Sequence, residues 1–179
     1  GACGQPWRPS PGRDMNGFLT PTPRLFHIPV EDGRLAITLD DVVWVEEGRN
    51  IRLERGFPTD GLSLPGIATA LGFDPWGAGL RAALLHDAGY SLHDVRGYGL
   101  GNRAIVDRRF LAGCLIDYPR MAATYYRAVK WFGALAWRKD NVLHMEGYLF
   151  ALKSGCVDAW ISHLLEQYGG DIIQLTPAD

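Results

Sequence analysis

"AALLHDAGY", Ala82 to Tyr90, is an apolar run at helical spacing that carries a base and an acid side by side in its middle. Neighbouring residues on a helix point about 100° apart, so His86 and Asp87 address two adjacent directions, and Tyr90, one turn on, lies between them. A buried carboxylate needs a cation or strong donors, and a buried imidazole needs a partner for its second nitrogen. Both residues therefore require partners from elsewhere in the chain, and those partners decide which elements pack on this helix.

Downstream, "NRAIVDRRF" places Asp107 on a second predicted helix, 21 residues after His86. Two antiparallel helices joined by the glycine-containing loop "VRGYGLGNR" set Asp107 against the imidazole, where it fixes the tautomer and stabilises the protonated ring, as a general base requires. Upstream, "FPTDGLSLP" supplies Asp60, and Gly61 permits unusual backbone angles. Asp60, the Gly61 carbonyl and Asp87 offer hard oxygen ligands of the kind calcium takes. The residues thus point to a His86-Asp107 dyad beside a calcium site. The bland alternative is a satisfied polar pair in the core, with Asp107 as a surface partner of Arg103 in an ion pair worth about 0.3 to 0.5 kcal/mol. The spacing to His86 favours the catalytic role.

Outward from this pair, helical periodicity predicts helices at about Leu80–His93, Arg103–Asp117, Met121–Trp137, Asn141–Lys153 and Val157–Gln167. Before them, "RLAITL" (Arg34–Leu39), "VVWVE" (Val42–Glu46) and "IRLER" (Ile51–Arg55), separated by "DD" and "EGRN", read as a small antiparallel meander. The fold class is α+β. A proline-rich arm covers residues 1–24 and one globular domain covers 25–179, with the meander at 25–57 and the helical core at 58–168. Gly4–Arg24 reads as an extended tether outside the core.

The chain has 179 residues, 47% hydrophobic, with a formal net charge of −2. This suits a single core burying roughly 70% of the unfolded surface, and it gives no general attraction to nucleic acid. Cys3, Cys114 and Cys156 lack zinc-type spacing, and an odd count leaves one thiol unpaired. No apolar run approaches the ~20 residues of a membrane span. "GAC" ahead of a polar, proline-rich stretch resembles the end of a bacterial lipoprotein signal, in which Cys3 would be lipidated, and it reads equally as an ordinary buried or free Cys3; the expectation is a secreted or envelope-associated protein. Trp7 in the arm is a candidate contact either for the body of the protein or for a protein partner.

Four motifs, "TDGLS", "AALLHDAGY", "NRAIVDRRF" and "TYYRAVKWFG", run in the same order as those of the secreted bacterial and fungal phospholipases A2. The resemblance covers roughly Phe57 to Gly133. "GFPTDGLSLP" and "RAALLHDAGY" resemble more closely a family of small phage and bacterial proteins of unassigned function. The phospholipase resemblance implies His86 as the general base activating water, Asp107 as its orienting partner, Tyr90 as a supporting hydrogen-bonding residue, and Asp60, the Gly61 carbonyl and Asp87 as calcium ligands. It also implies a phospholipid or membrane surface as substrate. Where those enzymes carry two cysteines, this chain has Leu62 and Ala83, and the stretch from Asp60 to His86 is a few residues longer. Two other readings stand beside it: a phage-derived or envelope-associated binding module that keeps the fold, and an HD-type metal-dependent phosphohydrolase with His27 as its upstream ligand. Among Tyr125, Tyr126, Trp131, Phe132 and Trp137, core packing is favoured over a lipid-binding face. His93-Asp94 reads as a solvated helix end, and His144 and His163 as structural or exposed.

Overall fold

The computed structural model describes residues 16–29, 35–61, 76–92, 102–136, 144–169 and 172–173. The expectations for Cys3, Trp7, Leu62, His93-Asp94, Trp137 and most of the glycine-containing loop lie outside these residues. Short strands come first: β1 (Gly17–Phe18), β2 (Leu25–Ile28), β3 (Leu35–Thr38), β4 (Val42–Glu46), β5 (Arg49–Leu53) and β6 (Pro58–Thr59). Among the described residues five helices follow: α1 (Leu80–Ser91), α2 (Arg103–Asp117), α3 (Pro119–Ala136), α4 (Met145–Ser154) and α5 (Val157–Tyr168). A last strand, β7 (Ile172–Ile173), closes the order. The α+β class read from the sequence is the class observed.

The strands do not form one meander. They divide into an antiparallel sheet ordered β1-β4-β5 and another ordered β6-β3-β2-β7. β4 and β5 are a true hairpin, because Glu47 (φ 49°) and Gly48 (φ 74°) both take the left-handed conformation that a two-residue turn between twisted strands needs. β3 and β4 are separated instead by Asp40 and Asp41, whose carboxylates accept from Arg24 and from Arg52 and the Arg55 amide. These bonds turn the chain out of one sheet and into the other.

The end of the proline-rich arm is also built into the body. β1 pairs with β4, Phe18 meets Trp44 edge-on at 4.9 Å between ring centres, and Arg81 of α1 lies over the Phe18 ring. Arg81 also donates to the Thr20 carbonyl and forms an ion pair with Asp117 at the end of α2. One guanidinium thereby ties residues 18–20 to both helices.

α1 is buried around most of its circumference, which is why its sequence is apolar beyond a single stripe. It packs antiparallel on α2, Ala82 beside Gly113 at one end and Gly89 beside Val106 at the other. A Cβ on Gly89 would sit 2.5 Å from a Val106 methyl, and one on Gly113 would sit 2.8 Å from the Ala82 Cβ. The two glycines let the helices approach more closely than other residues allow. α2 starts at Asn102, whose side chain accepts from the Ile105 amide, and α3 starts at Pro119, where the missing N–H is no loss. α5 covers the second sheet, with Val157, Ile161 and Leu164 against Phe26, Ile28, Leu35 and Ile37.

Alanine for glycine inside a helix ordinarily stabilises by about 1 kcal/mol. Gly89→Ala should reverse that sign and destabilise by about 1 to 3 kcal/mol, because the β-branched Val106 has no free rotamer to retreat into. Urea titration checks this, and a Gly89→Ala protein more stable than wild type would contradict the close approach.

Candidate functional site

The α1–α2 contact carries polar groups at its centre. His86 projects from α1 so that its Nε2 lies 3.3 Å from Asp107 Oδ1 on α2, and the Tyr90 hydroxyl donates to the same oxygen at 2.7 Å. The Tyr90 ring lies 4.1 Å from the imidazole between centres, and Phe110 lies 5.0 Å from it. The ring is therefore held by a hydrogen bond at one edge and by aromatic neighbours. With a carboxylate accepting at Nε2, the neutral ring keeps its proton there and leaves Nδ1 with the free lone pair. Nδ1 faces the Asp87 side, 3.9 Å from Oδ1, too far for a direct hydrogen bond.

Asp87 is fixed by a residue that the sequence reading passed over. The buried Thr59 hydroxyl donates to Asp87 Oδ2 at 2.9 Å and accepts from the Gly61 amide at 3.0 Å. β6, which ends at Thr59, is thus bonded to α1, and Gly61 (φ 74°) needs the freedom of glycine to aim its N–H back at the hydroxyl. The signal was the threonine directly preceding Asp60. Exposure separates the roles: the His86 and Asp87 side chains are 12% and 15% exposed, within reach of water, whereas Asp107 is at 4%.

The electrostatics follow from this placement. Burial opposes a charged imidazole, but the Asp107 hydrogen bond and the Asp87 charge outweigh it and raise the His86 pKa above its ordinary 6.5. Burial likewise opposes ionisation of Asp107, and the hydrogen bonds from His86 and Tyr90 overcome it and hold that carboxyl low. Asp87 goes the other way: burial first, then the like charge of Asp60, push it up to about 6, against the pull of His86 and Thr59. Burial and Asp107 together keep the Tyr90 phenol protonated.

The structure brings His86, Tyr90, Asp87 and Asp107 together, with Asp60 close enough for its charge to act on Asp87. Asp107 is buried at 3% exposure and bonds to Tyr90 and His86, so it is not the surface partner of Arg103. Arg103 contributes its charge to this group, while its Nη1 is buried with no hydrogen-bond partner among the described residues. Among the described residues, no three side chains drawn from His, Cys, Asp and Glu are placed to hold a metal ion. A cation here would need main-chain oxygen as well as the two carboxylates. His27 sits on β2, edge-on to Trp76, and is not grouped with His86 and Asp87. Cys114 is buried, which pushes its thiol up to about 12 and removes it as a nucleophile.

Fold and site together define a small α+β protein with a His-Asp pair mounted across two antiparallel helices. The chain belongs to the family described as Protein of unknown function (DUF1353), whose family model matches residues 37–132, more than half of its length and all of the site residues. No curated protein matches the chain, and no solved structure matches it.

Asp107→Asn should lower the His86 pKa, since burial then acts with less opposition; the ring proton shifts in an NMR titration report it. The linked effect on stability has a defined sign. The raised imidazole favours the folded chain below pH 6.5, and this is lost as pH rises through the higher folded value. Asp87, ordinarily at 3.8 and here at about 6, also disfavours folding as pH rises between those values. Asp87→Asn should therefore flatten the fall in stability between pH 4 and 7, by on the order of 1 to 3 kcal/mol. An unchanged pH profile would show that Asp87 is not under this load.

Proposed function

We propose that the protein is a calcium-dependent ester hydrolase acting on phospholipid. The observation that carries this reading is the orientation of His86: Asp107, itself bonded by the Tyr90 hydroxyl, occupies the Nε2 edge, and Nδ1 faces Asp87 on a side chain that is 12% exposed. Nδ1 takes a proton from water as the water oxygen bonds to the ester carbonyl carbon. The imidazolium that forms is held by buried Asp107, and it returns the proton to the alkoxide as the ester C–O bond breaks. The products are a fatty acid and the deacylated lipid.

The donor chemistry suits a hard cation. Asp87 is pushed up to about 6 with burial as the main cause, and the like charge of Asp60 adds to it. Both, with the Gly61 carbonyl, would hold calcium, which prefers oxygen ligands. Bound there, it would supply positive charge to the developing oxyanion, a type of stabilisation in which one donor is worth about 3 to 4 kcal/mol. Thr59 positions Asp87 for this task, and Asp107 and Tyr90 position His86.

The test is fatty-acid release from mixed phospholipid vesicles with calcium, with a chelator, and with His86→Ala. The expected outcome is release that needs calcium and falls by at least about a hundredfold in the variant, the size of effect a general base supplies. Release no greater than that of His86→Ala on every lipid class would sink the reading. It would leave the His86, Tyr90, Asp107 and Asp87 network as a structural tie between β6, α1 and α2.

A further inference from the structure

α3 turns an unusual face outward. Its sequence, PRMAATYYRAVKWFGALA, contains Arg120, Arg127 and Lys130 and no acidic residue. Ala122, Tyr125 and Val129 are buried against the other helices, and Arg120, Ala123, Thr124, Arg127, Lys130 and Trp131 are exposed. At 100° per residue, Arg120, Thr124, Arg127 and Trp131 fall within about 60° of one another, a stripe about 16 Å long. Trp131 is 78% exposed, the most exposed large hydrophobic residue among those described. Lys130 flanks it, with its Nζ 5.6 Å from the Tyr126 ring centre. None of the three cations forms an ion pair within the described residues.

We infer that this face of α3 docks the protein on an anionic phospholipid surface, with Trp131 at headgroup depth and Arg120, Arg127 and Lys130 on the lipid charges. Charge complementarity and the kind of apolar group select this occupant. An indole is apolar over its rings and polar at its N–H, which suits the boundary between headgroups and acyl chains. Arginine and lysine reach charged headgroups while their stems lie along apolar surface. A protein partner of ordinary affinity needs about 800 Å² of complementary surface on each side, and a single aromatic group in a basic rim is a poor nucleus for that. Nucleic acid is disfavoured by the overall charge of −2 and by the shortness of the basic stripe.

The inference deepens the hydrolase reading, since it names the surface that brings lipid to the protein, but docking does not require catalysis. Full-length protein is sedimented with vesicles of phosphatidylcholine alone and with vesicles containing about one third phosphatidylglycerol, in chelator, at low and high salt. Binding should be confined to the anionic vesicles and should weaken with salt. Each cation removed should weaken it about fivefold, so Arg127→Gln with Lys130→Gln should lose more than tenfold, and Trp131→Gln should also release the protein. These side chains are exposed, and unchanged thermal melting will show that the variants fold. His86→Ala should bind as wild type does. No binding to anionic vesicles, or equal binding by the α3 variants, overturns the docking face. Binding without any ester hydrolysis leaves the docking face standing and overturns the hydrolase reading alone.

Discussion

The rest of the structure depends on how closely α1 and α2 approach. Gly89 against Val106 and Gly113 against Ala82 leave no room for a Cβ at either glycine, and the two contacts flank the level at which His86 meets Asp107. Hydrogen bonds between side chains on two helices tolerate only a few tenths of an ångström before they weaken. The dyad is thus a consequence of backbone proximity before it is one of side-chain choice. The same proximity buries Asp107, and burial gives its charge leverage over the imidazole.

Two carboxylates, Asp87 and Asp107, act on one imidazole, and Asp60 acts on Asp87, but the three are not equivalent. Asp107 has two donors in His86 and Tyr90 and remains ionised. Asp87 has the Thr59 hydroxyl and a distant imidazole nitrogen, and with the added charge of Asp60 it holds its proton to about 6, with burial as the chief cause. Neighbouring carboxyls pushed in opposite directions are how one small site separates an orienting group from a group available to a cation. That division supports the proposed hydrolase, and it follows from which helix face each residue occupies.

The helices were legible because their signals are local. Apolar periodicity acts within a few residues, and α2 begins and ends where the pattern predicts; the start of α3 at Pro119 rather than Met121 shows where periodicity alone runs short. The sheet arrangement was less legible because strand pairing is not local. β3 has the composition of a meander strand, yet it pairs with β2 and β6, and what diverts it is the use of Asp40 and Asp41 as acceptors for arginines distant in sequence. β6, two residues long and starting with proline, gave no strand signal at all. Within the site, the approach of His86, Tyr90 and Asp107 was readable from helical spacing. Thr59 was not, because its role exists only once β6 lies against α1. The aromatic run of α3 divides as periodicity requires, with Tyr125 inside and Trp131 outside, and a count of aromatic residues alone hides that division.

Ala83 is buried in α1 within the cluster of Phe110, Cys114, Ala122 and Tyr125, and further contacts fix α1 against the strands. β6 is paired with β3 through Pro58 and Thr59, and Thr59 is bonded both to Asp87 on α1 and to the Gly61 amide. At the other end of α1, Arg81 joins the Thr20 carbonyl and Asp117. The position of Asp60 beside Asp87 therefore rests on strand register and one buried hydroxyl. A substitution at Thr59 that removes the hydroxyl releases Asp87 and the Gly61 amide at once, and thereby uncouples β6, and Asp60 just after it, from α1 while leaving the His86-Asp107 contact between the helices in place.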